Sequence, residues 1–270
     1  MFNYAFMQRA FVVGIMLAII IPMIGIIMIN RRTTMIGDAL SHASLSGIGF
    51  GLILGVNPIW TSLIVCIIAS FAIEIIRSRF KDFGDMAVAL VMSAGIAIAA
   101  ILSDFTPGGT SFESFMFGSI TTVSKVDVYT VLIIFVAIVL ISIYFYNALL
   151  YNTINPTMAR LAGVNTKLVN IIFTFITAIT VAISAKTVGA LMITSLMTIP
   201  VATALLVSNS YKITFIKSIV FSIIYMVLGI IASFYLGVKP GGAIVLIAIG
   251  FLIMVILISN FKNYISRNIK

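Results

Sequence analysis

The chain has 270 residues, is 62% hydrophobic and only 9% charged, and carries a formal net charge of +9. Soluble domains hold roughly 25% charged residues, so soluble folds are excluded. In a soluble protein such a basic balance would point to nucleic acid. In so apolar a chain it reflects loop lysines and arginines that set membrane orientation, and no nucleic-acid partner is expected.

The first apolar run, from about Ala10 to Asn30, is too long for a signal peptide and ends in Arg31-Arg32 rather than a small-residue cleavage site. It reads as a retained membrane helix. Nine apolar segments are predicted in all, at roughly 9–29, 36–55, 58–76, 86–103, 126–148, 168–186, 188–207, 213–236 and 242–260. The fold class is therefore all-α, a polytopic membrane helix bundle with about eight or nine transmembrane helices. No linker divides it, so residues 1–270 read as one transmembrane domain. With the N-terminus outside, twelve of the sixteen basic residues fall on the inner face, among them Arg31, Arg32, Arg77, Lys81, Arg160, Lys262, Arg267 and Lys270. Arg9, Lys125, Lys186 and Lys239 remain outside.

The second segment carries the chemistry. It holds Asp38 and His42, the latter being the only histidine. Four residues apart on a helix, they share one face. At ~1.5 Å per residue, His42 lies about 15 Å beyond Arg32, near the middle of a bilayer core ~30 Å thick. Ionisable groups at that depth are costly and by default mark a pathway for ions or substrate. Gly47, Gly51 and Gly55 recur every four residues, and Ser41, Ser44 and Ser46 add small hydroxyls. Such a stripe predicts close helix packing with hydrogen bonds across the seam. The same pattern also fits a seam in which the Asp–His pair is purely structural.

In the third segment Glu74 lies three residues before Arg77, which predicts a local helical ion pair. The connection 104–125 is the longest on the outer side. Its run Phe112 to Ile120 can dip into the membrane surface only if protein covers it. Asp104, Glu113 and Asp127 in or beside it read as solvated charges, and Lys186 and Lys239 as snorkelling to the surface. The inner loop 149–167 contains a capped helix of two turns: Asn155 as N-cap, Pro156 at the first position, and Gly163 after the end. It exposes Met158, Arg160 and Leu161, and suits a groove on a partner. In 188–207, Pro200 frees a backbone carbonyl that Thr194, Ser195, Thr198 or Thr203 can satisfy. Cys66 stands alone, which excludes an internal disulfide. No P-loop, HExxH or G-x-S-x-G motif occurs, so neither ATP binding by a P-loop nor an enzyme activity is expected.

The stretch RRTTMIGDALSHASLSG resembles the signature of permease subunits in bacterial ABC importers for zinc, manganese or iron. FMFGSI before Val126-Asp127, NPTMARLAGVN, VGALMITSLMTIPVATA and GVKPGGAIVL are similar to further landmarks of that family, in the same order. Where the family often has an acidic residue in the last outer turn, this chain has Gly237-Val238-Lys239. The resemblance implies a multi-pass bacterial plasma-membrane protein that forms a homodimer. It implies coupling to two copies of a cytoplasmic ATPase, where ATP is bound, and a metal-binding protein outside. The inner helix, with Pro156, Met158, Ala159, Arg160, Leu161 and Gly163, becomes the coupling helix. Asp38 and His42 become metal contacts, for Zn²⁺ first and Mn²⁺ next, with no cofactor held by the chain itself. Two other readings of the residues stay open: a proton-coupled secondary transporter using Asp38 and His42 as a relay, and a scaffold with a structural pair.

Overall fold

The structure, a computed structural model, describes residues 4–80, 83–106 and 109–268, with no side-chain detail beyond residue 259. Of the inner basic residues, Lys81 and Lys270 fall outside the described residues, and the side chains of Lys262 and Arg267 fall outside as well. The described chain forms twelve α-helices. Nine correspond to the predicted apolar segments: α1 (Ala5–Asn30), α2 (Met35–Leu54), α3 (Pro58–Arg79), α4 (Gly84–Phe105), α6 (Lys125–Tyr144), α9 (Thr166–Ser184), α10 (Ile193–Leu206), α11 (Tyr211–Leu236) and α12 (Pro240–Asn268). Seven of these are long and apolar enough to cross a membrane on those grounds alone. The two others are α2, diluted by Asp38, His42, glycines and serines, and α10, only 14 residues long. Three short helices complete the chain: α5 (Gly109–Phe117), α7 (Tyr146–Ile154) and α8 (Pro156–Leu161).

Local sequence sets the helix ends. Asn57 caps α3 by accepting from the Ile59 amide, and Pro58 occupies the first turn, where no amide hydrogen is needed. Ser124 and Asp127 form a reciprocal capping box at the start of α6. Asn165 and Ser210 cap α9 and α11.

Lipid tails are as apolar as leucine, so helices here associate by close van der Waals contact rather than by exclusion of water. The interior is built on that rule. The apolar window of α1 is 72% buried, against 17% for α6 and 22% for α4 and α12, so α1 lies at the centre of the bundle and those three at its edge. Gly25 of α1 abuts the Met197 backbone carbonyl of α10, where any side chain would collide with backbone. Gly14 faces Met226 and Ile230 of α11, and Gly229 of α11 faces Ile244 of α12. Helix α10, with Pro200 inside it, differs from expectation. Pro200 frees the Leu196 carbonyl, but the nearby hydroxyls bond elsewhere: Thr198 donates to the Thr194 and Ser195 carbonyls, and Thr203 to the Ile199 carbonyl. Thr203 is further fixed by the Tyr225 hydroxyl at 3.2 Å.

The turns collect at two opposite ends. At the outer end three backbone segments cross without side chains between them: Phe117-Gly118 after α5, the turn Thr187–Gly189, and Gly241 at the start of α12. Phe112 and Ile120 are buried there, so protein covers the segment as a dip requires. The outer charges are not simply solvated. Lys186 bonds Asp127 at 2.6 Å, and the two side chains are only 18% and 7% exposed. Lys239 pairs with Glu113 at 3.0 Å in the open. Both lysines find carboxylates because the tertiary fold brings distant turns together, and this corrects the expectation that they snorkel. The helical pair Glu74–Arg77 is not among the ion pairs of the described residues.

Gly25→Val should destabilise the protein by about 3 kcal/mol or more, because backbone must move to admit the side chain. A drop in the thermal denaturation midpoint of the purified chain checks this. Asp127→Asn should cost about 1.5–3 kcal/mol, the range for hydrogen bonds to a charged partner, by unpairing Lys186. The loss should be recovered in part by adding Lys186→Met.

Candidate functional site

The site is α2. It packs along α3 on one side and α4 on another, with α9, α10 and α5 closing further parts of its surface. The α3 contact is a seam of backbone on backbone. A Cβ on Gly47 would lie 2.5 Å from the Ser62 Cα, and one on Gly51 would strike the Thr61 hydroxyl. Ser44 and Ser62 hydroxyls meet across this seam at 2.9 Å, and the buried Cys66 thiol points at the Leu40 carbonyl at 3.5 Å. Ser46 bonds within its own helix, to the Ala43 carbonyl. On the other side Gly95 of α4 presses on the backbone of His42 and Ala43, and Gly49 on the Leu102 side chain. Gly55 is a correction. It sits past the last turn as the C-cap, at φ +67°, with nothing within 4 Å of the place a Cβ would take. Its role is the left-handed turn that ends α2, which the four-residue spacing disguised as packing.

Between Ile36 and Gly49 every residue of α2 is buried except two, Asp38 and His42. Both are half-buried and lie on one face. The bundle closes around α2 on all sides but leaves this strip open. Polar groups open toward acyl chains are strongly disfavoured, so the strip must face a second protein surface or a hydrated passage. The two differ in depth, which the sequence reading did not anticipate. Residues 31–34 form a turn, and α2 starts only at Met35, so Asp38 is in its first turn. His42 lies about 4 Å from the helix midpoint and Asp38 about 10 Å, toward the inner end. The first-turn position also places the carboxylate at the positive end of the helix dipole. Two hydroxyls close to this region, of Ser41 and of Thr194 on α10, are buried without a hydrogen-bond partner in the chain. The Thr194 methyl lies 3.7 Å from the position a Gly37 Cβ would take, one turn from Ser41.

Among the described residues no three His, Cys, Asp or Glu side chains group as a metal site. The Asp38 carboxylate and the His42 imidazole are two donor groups per chain, against the four ligands that Zn²⁺ prefers.

The inner helix α8 stands as its signals predicted. The Asn155 side chain accepts from the Thr157 and Met158 amides at 3.0 and 3.1 Å, Pro156 leads, and Gly163 follows at φ +80°. Met158 and Leu161 are 62% and 79% exposed. Ala159 is buried and turns the other way, so it seats the helix on the bundle instead of meeting a partner. The Arg160 guanidinium donates to the Thr166 hydroxyl at 3.3 Å, bracing α8 against the start of α9.

Sequence reading missed the polar network at the inner end. The Arg31 guanidinium donates to the Thr153 hydroxyl at 3.3 Å and the Asn170 amide oxygen at 3.0 Å, and stacks on the Phe173 ring. Burial pushes its pKa down to about 10, with the Arg77 charge lowering it further and Tyr211 opposing, so it is a cation at neutral pH. Asp127, expected as a solvated charge, is instead the capping-box residue of α6, for which Ser-x-x-Asp is the local signal; its pairing with Lys186, 59 residues on, has no local signal.

The sequence pattern of the ABC 3 transport family matches residues 3–259. The chain is 34% identical over 256 residues to a protein of Treponema pallidum named "Probable metal transport system membrane protein", covering 95% of this chain and 96% of that one. It is 26% identical to the manganese transport system membrane protein MntC of Listeria monocytogenes, covering 91% and 88%. It is 28% identical to the high-affinity zinc uptake system membrane protein ZnuB of Haemophilus influenzae, covering 88% and 91%. Among solved structures, PsaBC from Streptococcus pneumoniae superposes with a TM-score of 0.85 at 26% identity, over 94% of this chain and 91% of that one. A match that spans nearly every helix, a polar strip left open on a buried membrane helix, and the lack of any P-loop agree: the chain belongs to the ABC 3 transport family, as a membrane-spanning transport subunit and not an ATPase.

Proposed function

We propose that this chain is the single-domain permease of an ATP-driven importer for divalent transition-metal ions, in the bacterial plasma membrane, and that Asp38 and His42 contact the ion. The observation that carries it is the half-open strip on α2, where these two side chains alone interrupt an otherwise buried stretch. One chain supplies a carboxylate and an imidazole, both acceptable to Zn²⁺ and Mn²⁺. A two-fold axis beside the strip would bring a second pair opposite the first, since symmetric dimers place equal residues face to face. Four ligands then suffice.

Zinc is placed first and manganese next, on the His–Asp pair; relatives named for either metal support both. Energy comes from a separate ATPase dimer, with ATP bound there. The exposed Met158 and Leu161 on α8 fit a helix-in-groove contact with it. An extracytoplasmic binding protein delivers the metal to the outer end. The names of the relatives lend no support to proton-coupled exchange.

In a complex reconstituted in liposomes with its ATPase, Asp38→Ala and His42→Ala should each lower ATP-dependent uptake of radiolabelled zinc and manganese at least tenfold, with insertion unchanged. Uptake that persists in both variants, or that needs no ATP, would contradict the reading. In a Cys66→Ser background, Asp38→Cys should crosslink between two copies in at least one nucleotide state. Leu161→Asp should leave the chain folded but abolish transport-stimulated ATP hydrolysis, read as phosphate release.

A further inference from the structure

The inner end encloses a second polar feature, distinct from the Asp38–His42 strip. A cavity of about 540 Å³ lies between the α1–α2 turn, the inner ends of α3 and α4, and the α7–α8–α9 elbow. Arg31, Arg32, Arg77 and Arg160 line it, and Glu74 is its one carboxylate among the described residues. Four guanidinium groups around one carboxylate repel each other, and the cost rises as water is excluded.

Two details show that the fold holds this arrangement deliberately. Arg32 has φ +56° and is the one non-glycine residue with positive φ among those described. A side chain in that region is strained, and such strain gathers at functional sites. Arg31 is anchored through Nε and Nη1, but its Nη2 is buried with no hydrogen-bond partner in the chain. That nitrogen is closed off from water, so the cavity meets other atoms of the Arg31 side chain, and its charge is left without a carboxylate partner among the described residues. Asn152 and Thr153 hold the frame: Asn152 donates to the same Asn170 oxygen at 2.9 Å, and the Thr153 hydroxyl to the Leu149 carbonyl.

We infer that this cavity binds a phosphate oxyanion, held by Arg32 and Arg77 beside the fixed charge of Arg31. Planar guanidinium forks match phosphate oxygens bidentately, and a divalent oxyanion offsets the charge excess. Arg160, on α8, is the fourth lining cation, so the occupant touches the element that is offered to the ATPase. Binding then stiffens the join between α8 and the bundle and gives the inner face a handle on coupling. The same chemistry is available from free cytosolic phosphate and from the headgroup of an anionic phospholipid in the inner leaflet.

The test uses the full chain in nanodiscs. In phosphatidylcholine discs, inorganic phosphate is titrated calorimetrically against chloride at equal ionic strength. In discs containing phosphatidylglycerol, retained lipid is counted by native mass spectrometry. Arg32→Gly relieves the positive φ while deleting the cation, so folding does not confound it, and Arg77→Gln is the second variant. Saturable phosphate binding weakened at least tenfold in both variants assigns free phosphate. Retained phosphatidylglycerol lost in both variants, without a phosphate response, assigns the headgroup. Wild type binding neither probe, or both variants binding as wild type, overturns the proposal. So does a result in which Arg77→Gln only weakens co-purification of the ATPase, which would make the arginines a contact for that partner's carboxylates.

Discussion

The structure depends on how closely backbones approach where no side chain intervenes. In lipid, no water is released when two apolar helices meet, so affinity must come from contact itself. Gly47 and Gly51 let α2 lie directly on α3, Gly95 lets α4 lie on α2, and Gly25 brings α1 onto the α10 carbonyl. Each contact excludes even a methyl group. Together they lock α2 in one rotation about its own axis. That rotation leaves Asp38 and His42 at the opening while burying the twelve other residues from Ile36 to Gly49.

Charge is handled differently at the two ends. At the outer end each lysine near the crossing backbones finds a carboxylate, Lys186 with Asp127 and Lys239 with Glu113. At the inner end arginines accumulate around a cavity with one carboxylate. The asymmetry follows from the positive-inside bias but exceeds what orientation requires, because Arg31 and Arg77 are drawn inward instead of left in solvent. The outer pairs tie α6 and α5 to the turns before α10 and α12. The inner arginines leave interaction capacity unused, beside α8, whose Met158 and Leu161 stand in the open.

Much of the local structure was legible. Asn155-Pro156 with Gly163 specified α8 because a cap, a proline and a left-handed glycine act over a few residues. The Ser124–Asp127 capping box could be read the same way. The errors share one cause. Gly55, Lys186, Lys239 and Glu74 were assigned from neighbours in sequence, and each is governed by something else. Gly55 answers to the backbone angle at a helix end, the lysines to carboxylates on other elements, and Glu74 to a cavity shared with Arg31 and Asn170. Asp38 lies nearer the inner end than His42 because it precedes it by one helical turn.

Composition and periodicity by themselves determined that the chain is a bundle of membrane helices, which end carries the excess of cations, and that one helix holds an aspartate and a histidine on a single face. These follow from transfer free energies and helical repeat, which are properties of short stretches. Only the tertiary structure decided which side of α2 stays open, which charges are paired, and that four arginines from three separate elements line one cavity. Those outcomes depend on contacts between residues tens to more than a hundred positions apart, set by how glycine-lined helices nest, and no local rule encodes them.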